Sequence, residues 1–143
     1  SRARSLLGKE VWDNYFKVTL ERNPWDKVVS MFFWDQKQAR VGQEFRDFVH
    51  SGMSYQSDFD LYSISGIPQV DKFIFYEELE RDLREVSRKV GLPENIYDVM
   101  SNIRAKGSYR KQRDYRNFYD DELRRIVEFQ YGREIKLLGY EFE

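Results

Sequence analysis

Cysteine is absent from this chain of 143 residues, which excludes disulfides, thiolate nucleophiles and zinc sites of the cysteine type. Histidine occurs once, at His50. Neither charge dominates: 24 Lys and Arg stand against 25 Asp and Glu, a net charge of −1. Such a balance gives no overall field for nucleic acid, so any basic site must be local. Long hydrophobic runs are missing too. The longest apolar stretch covers residues 31–34, far short of the ~20 residues a membrane helix needs. The first ten residues, SRARSLLGKE, lack the apolar core of a secretory signal. Nothing here conflicts with a reducing, cytoplasmic compartment. No internal repeat and no low-complexity linker is present.

What is there is aromatic and charged. Hydrophobic residues make up 41%, aromatics 17% and charged residues 34%, the composition of a globular domain. The length suits a single domain over residues 1–143 with a real core.

The pattern reads as helices around a short sheet. Leu6, Leu7 and Val11 are spaced for a helix over residues 3–12, weakened by Gly8. Residues 15–21 alternate, with Phe16, Val18 and Leu20 on one face and Lys17, Thr19 and Glu21 on the other, the period of a strand. Asn23 then suits an N-cap, Pro24 the first helical position and Asp26 an early acid. Trp25, Val28, Val29, Phe32 and Gln36 carry that helix to the break at Val41-Gly42. Residues 43–49 predict a short helix with Phe45, Phe48 and Val49 inward. Residues 51–68 show no clear period and predict a long irregular loop.

Residues 73–76, FIFY, predict a strand buried on both faces. A helix follows with Leu79, Leu83, Val86 and Val90 on one stripe, stopped by Gly91 and Pro93. Another short helix fits residues 94–105. A basic run follows: Arg104, Lys106, Arg110, Lys111, Arg113 and Arg116, with Gly107 inside it. The last helix spans residues 120–138, with Leu123, Ile126, Val127, Tyr131, Ile135 and Leu138 on one face. Gly139 ends it, and Tyr140 and Phe142 should pack back onto the core. The fold class is α/β, a short parallel sheet flanked by several helices. Two strands are few, since a two-stranded sheet is marginal by itself.

A strand running into a helix through Arg22 and Asn23-Pro24 presents backbone N–H groups and a positive dipole end, with Arg22, Lys27 and Ser30 as side-chain donors. This is half of an anion site. The bland alternative is a helix cap with a surface arginine. His50 ends a short helix, where the dipole favours a basic residue, and that suits it better than a role as catalytic base. Glu77 and Glu78 suit a helix start better than a catalytic pair.

The run FKVTLERNPWDKVVSMFFW resembles the 3′-phosphate-binding segment of sulfotransferases that use 3′-phosphoadenosine 5′-phosphosulfate (PAPS). There a strand ends in Arg-Asn-Pro and a serine follows eight residues after the arginine, as Arg22 and Ser30 do here. VDKFIFYEELERDLREVSRKVGLP and NFYDDELRRIVEFQYGREIKLLGYEF resemble the same family in the same order. SRARSLLGKEVWDNY is similar to the preceding helix of carbohydrate-type members.

The resemblance implies a partial P-loop-like sulfotransferase fold, its C-terminal portion. Arg22 and Ser30 would hold the 3′-phosphate of PAPS or of its product, PAP (adenosine 3′,5′-bisphosphate). Lys106 and Gly107 would form a loop over the nucleotide, with Arg110 reaching its phosphates. The acceptor would be a hydroxyl or amine, of a carbohydrate by analogy, and no metal, nucleic acid or membrane span is implied. The family's Gly/Lys/Ser/Thr-rich phosphosulfate loop and its upstream catalytic base have no counterpart here, so no catalytic residue is assigned. The missing side would come from upstream sequence or from another chain. The alternative is a non-catalytic nucleotide-binding or interaction domain of the same fold.

Overall fold

The computed structural model describes residues 2–38, 44–102 and 114–143. It is a mixed α/β chain that divides into two compact units, Ser1–Glu21 with Ser57–Arg104 and Arg22–Gln56 with Ala105–Glu143.

In the first unit Gly8 takes φ +82°, a left-handed conformation that ends one helix and begins the next. The expected single helix is therefore two, α1 (Arg2–Leu7) and α2 (Lys9–Asn14). Strand β1 (Val18–Glu21) follows. Helix α5 (Phe59–Tyr62) and a two-residue hairpin, β2 (Ser63–Ile64) with β3 (Ile67–Pro68), lie within the stretch expected to be irregular. Ser65 and Gly66 turn that hairpin with φ +51° and +76°, the two positive values a type I′ turn requires.

Strand β4 (Lys72–Phe75) pairs with β1 in parallel, placing Leu20 beside Ile74 and Glu21 beside Phe75. A single 3₁₀ turn, Tyr76–Glu78, leads into α6 (Leu79–Val90), and α7 (Ile96–Asn102) follows. Gly91 closes α6 in the left-handed conformation expected of it, at φ +69°.

Ile74, Leu83 and Val86 form the buried centre of this unit, with Phe16, Leu79, Ile96 and Tyr97 packed against it. FIFY is buried less completely than expected. Only Ile74 is fully covered, Phe73 and Phe75 are half-buried, and Tyr76 has left the strand. On β1 the apolar face is the open one. Val18 and Leu20 are 41% and 50% exposed whereas Glu21 is 4% exposed. The cause is cover: α6 contributes Leu83 and Val86 to Ile74 on β4, whereas β1, with β4 as its strand neighbour, is the sheet's other edge.

The second unit is helical. Helix α3 (Pro24–Lys37) buries Trp25, Val28, Val29 and Phe32, and α4 (Phe45–His50) buries Phe45, Phe48 and Val49, as their spacing predicts. The expected C-terminal helix is broken into α8 (Asp121–Gln130) and α9 (Gly132–Leu138). Tyr131 sits between them at φ −104°, ψ +21°, followed by Gly132, a poor helix former. The Tyr131 hydroxyl donates to the Ser54 carbonyl at 2.7 Å and accepts from Gln56 N–H at 3.0 Å. The core joins α3, α4 and α8 through Trp25, Phe32, Phe48, Leu123 and Val127, with Tyr140 and Phe142 packed back onto it.

Candidate functional site

The start of α3 is built by Asn23. Its side-chain carbonyl accepts from the N–H groups of Trp25 at 3.1 Å and Asp26 at 3.5 Å, and its backbone carbonyl accepts from Lys27 N–H at 2.8 Å. Pro24 has no N–H to offer. The first-turn donors expected to face an anion are thus taken up by the helix's own cap, and an anion here would rest on side chains and on the helix dipole. The Asn23 amide donates in turn to the Glu141 carbonyl at 3.0 Å.

Arg22 precedes the cap and reaches forward onto the helix. Its Nε donates to Asp26 Oδ2 at 2.5 Å, and its Nη2 pairs with the same oxygen. The two side chains are 21% and 16% exposed, so water screens the pair less than it would a surface ion pair. Ser30 lies one turn beyond Asp26 in the same helix, and residues four apart share a helix face. Asp26 and Ser30 therefore share a face of α3, and Arg22, from before the cap, meets that face at Asp26. Ser30 is half-buried.

Lys27 does not join that face: its ammonium lies 5.8 Å from the centre of the Tyr131 ring. Tyr115 lies close enough to feel Asp26. Burial pushes its hydroxyl above the usual range and the Asp26 carboxylate adds to the rise; the hydroxyl donates to the Glu143 carbonyl at 3.1 Å. Arg116, at the end of the basic run, pairs with Asp114 at 2.7 Å. Lys106, Gly107 and Arg110 lie outside the described residues.

In the sequence Asp26 reads only as a favourable early acid of α3. Helical spacing does not announce the pairing, because Arg22 lies before the N-cap and outside α3.

Other candidates are explained by their neighbours. His50 Nε2 lies 3.5 Å from Glu122, on the exposed surface shared with Arg46. Glu77 and Glu78 sit in the 3₁₀ turn before α6, and Glu78 meets Arg81 at 3.4 Å. A cleft of about 680 Å³ in the first unit is lined by Tyr76, Arg81, Arg84 and Tyr97 among others. Its cations are paired, Arg84 with Glu80 and Asp98, Arg81 with Glu78 and Asp82. Among the described residues no group of three or more His, Cys, Asp or Glu side chains could hold a metal ion, and no helix is long and apolar enough to cross a membrane.

No family model and no solved structure matches the chain. It is 37% identical over 113 residues to an uncharacterized protein of Archaeoglobus fulgidus, an alignment covering 76% of this chain and 93% of that protein. At that identity and coverage, the chain belongs to the same family as the archaeal protein.

Proposed function

We propose that this chain grips the 3′-phosphate of a 3′-phosphoadenosine nucleotide, as part of a PAPS-dependent sulfotransferase of carbohydrate type with a P-loop-like fold. One observation carries the reading: Arg22, at the strand-to-helix junction the sequence resemblance singles out, reaches forward onto Asp26 in the first turn of α3, and Ser30 lies one turn beyond Asp26 on that helix. A guanidinium offers a planar fork that matches phosphate oxygens, and a hydroxyl one turn further can donate to the same group.

In the complete enzyme an acceptor oxygen or nitrogen attacks the sulfur in line. The bond from sulfur to the 5′-phosphate oxygen breaks, PAP leaves, and a base takes the acceptor's proton. This chain's residues contribute binding. Arg22 and Ser30 anchor the end of the nucleotide remote from the reacting sulfur, so that the other half of the site receives it in a fixed pose. Lys106, Gly107 and Arg110 would close over the bound nucleotide.

The test is calorimetric titration with adenosine 3′,5′-bisphosphate. Wild type should bind. Arg22→Ala should weaken binding at least roughly tenfold, the worth of a charge-assisted hydrogen bond, and Ser30→Ala by roughly twofold to tenfold. A wild-type chain that takes up no nucleotide sinks the proposal. Binding by the complete protein without transfer to any acceptor would assign the non-catalytic alternative.

A further inference from the structure

We infer that Asp26 is an internal competitor for the phosphate, occupying the Arg22 fork until the nucleotide displaces it and so holding down the affinity of the grip. The inference rests on the 3′-phosphate reading above and adds to it how the site exchanges its ligand. Three observations carry it. Arg22 turns its Nε and Nη2 toward Asp26 Oδ2, and this edge of a guanidinium is one that binds an oxyanion with two parallel donors. Asp26 and Ser30 are one turn apart on α3 and Arg22 already touches Asp26, so an anion held by Arg22 and Ser30 together would meet the Asp26 carboxylate. The pair is also largely out of solvent, with side chains 21% and 16% exposed, so an incoming phosphate meets an ion pair that salt and water have not already weakened.

Letting go of Arg22 does not strand Asp26. It lies in the first turn of a 14-residue helix, where the dipole favours a carboxylate without any cation. The pair is thus poised to open. Once open, it leaves a carboxylate beside a phosphate of charge near −2, and that repulsion favours release. A transferase whose product keeps the same 3′-phosphate as its co-substrate needs such a limit, because a grip that holds both equally tightly would slow turnover.

Kd for adenosine 3′,5′-bisphosphate is to be measured by calorimetry for wild type, Asp26→Asn, Asp26→Ser, Asp26→Glu and the Arg22→Ala/Asp26→Asn double variant. Thermal melting should confirm that each is folded. Asp26→Asn and Asp26→Ser should each bind roughly tenfold tighter than wild type, about 1.4 kcal/mol. Asp26→Glu should stay near wild type, and on the Arg22→Ala background the gain should shrink to about twofold or less, the coupling a double-mutant cycle isolates. Weaker binding by Asp26→Asn and Asp26→Ser would overturn the inference and make Asp26 a residue that orients Arg22. Unchanged binding would overturn it as well, and either result leaves the 3′-phosphate reading standing. Absence of binding in wild type and both neutral variants overturns both.

Discussion

Trp25 and Phe142 meet edge to face, their ring centres 5.5 Å apart at 79°. Phe142 makes the same kind of contact with Tyr115 and Tyr119, both at 5.5 Å. The Tyr119 hydroxyl donates to the Trp25 carbonyl at 2.9 Å, and the Trp25 indole donates to the Arg124 carbonyl at 3.1 Å. The last residues of the chain thus hold the start of α3, and with it the place where Arg22 meets Asp26.

Phe142→Ala should therefore cost stability out of proportion to its position near the end of the chain. Three aromatic contacts at about 0.5–1.5 kcal/mol each, beyond area burial, put the loss at about 1.5–4.5 kcal/mol. Phe129→Ala is the control, because Phe129 is 90% exposed on α8 and should change stability by less than about 0.5 kcal/mol. Urea denaturation of both variants makes the comparison, and equal losses would contradict this placement of Phe142.

Asn23→Ala removes the cap carbonyl and the amide that meets Glu141. Loss of an N-cap costs about 1 kcal/mol, and the tie to the C-terminal tail should add to it. Asn23→Asp keeps the cap acceptor and gives up only the amide donor, so it should recover most of the loss. Thermal melts of the two variants side by side measure this.

Asp82 sets an acid limb. Its side chain is 2% exposed and accepts from Phe75 N–H at 2.8 Å and from Arg81 Nε at 3.1 Å, with Lys72 at 3.8 Å. Burial by itself would raise its carboxyl, but these hydrogen bonds and cations outweigh it and hold the group below its ordinary 3.8. A carboxylate so lowered contributes fully above 3.8, and its contribution is lost as pH falls through the folded value. Asp82→Asn should cost about 1.5–3 kcal/mol near neutral pH. The gap from wild type should narrow below 3.8. Denaturant titrations across that range check the sign, and a gap that widened in acid would count against it.

Tyr131→Phe should destabilise the second unit although the ring stays. The hydroxyl serves the Ser54 carbonyl and the Gln56 N–H together, and leaving buried polar groups unmade costs about 1–3 kcal/mol. Amide exchange at Gln56 should accelerate, and unchanged protection there would refute the bridge.

The cap of α3 was legible because it is local. Asn23, Pro24 and Asp26 announce a helix start through their own backbone and side-chain chemistry, and Asn23 accepts from Trp25 and Asp26 as that predicts. The left-handed ends at Gly91 and Gly139 were readable for the same reason. The two-residue hairpin was missed because Ser65-Gly66 is a weaker turn signal than Asn-Gly and its strands are only two residues long. The break at Tyr131 was missed because the apolar period runs unbroken through it, while the hydroxyl's partners lie some 75 residues away in sequence.

The sequence by itself determined where α3 starts, where α6 and α9 stop, and which residues of α3, α4 and α8 face a core, because each follows from interactions within a turn or two of chain. Tertiary structure alone decided that Val18 and Leu20 lie open while Ile74 is covered, since Leu20 and Ile74 are side by side on the sheet and how far the cover reaches from β4 toward β1 depends on where α6 comes to rest. It also decided that Asn23 is held by the C-terminal tail and that the Arg22 fork is already occupied, because a side chain's partner is set by what else packs beside it and periodicity carries no record of that.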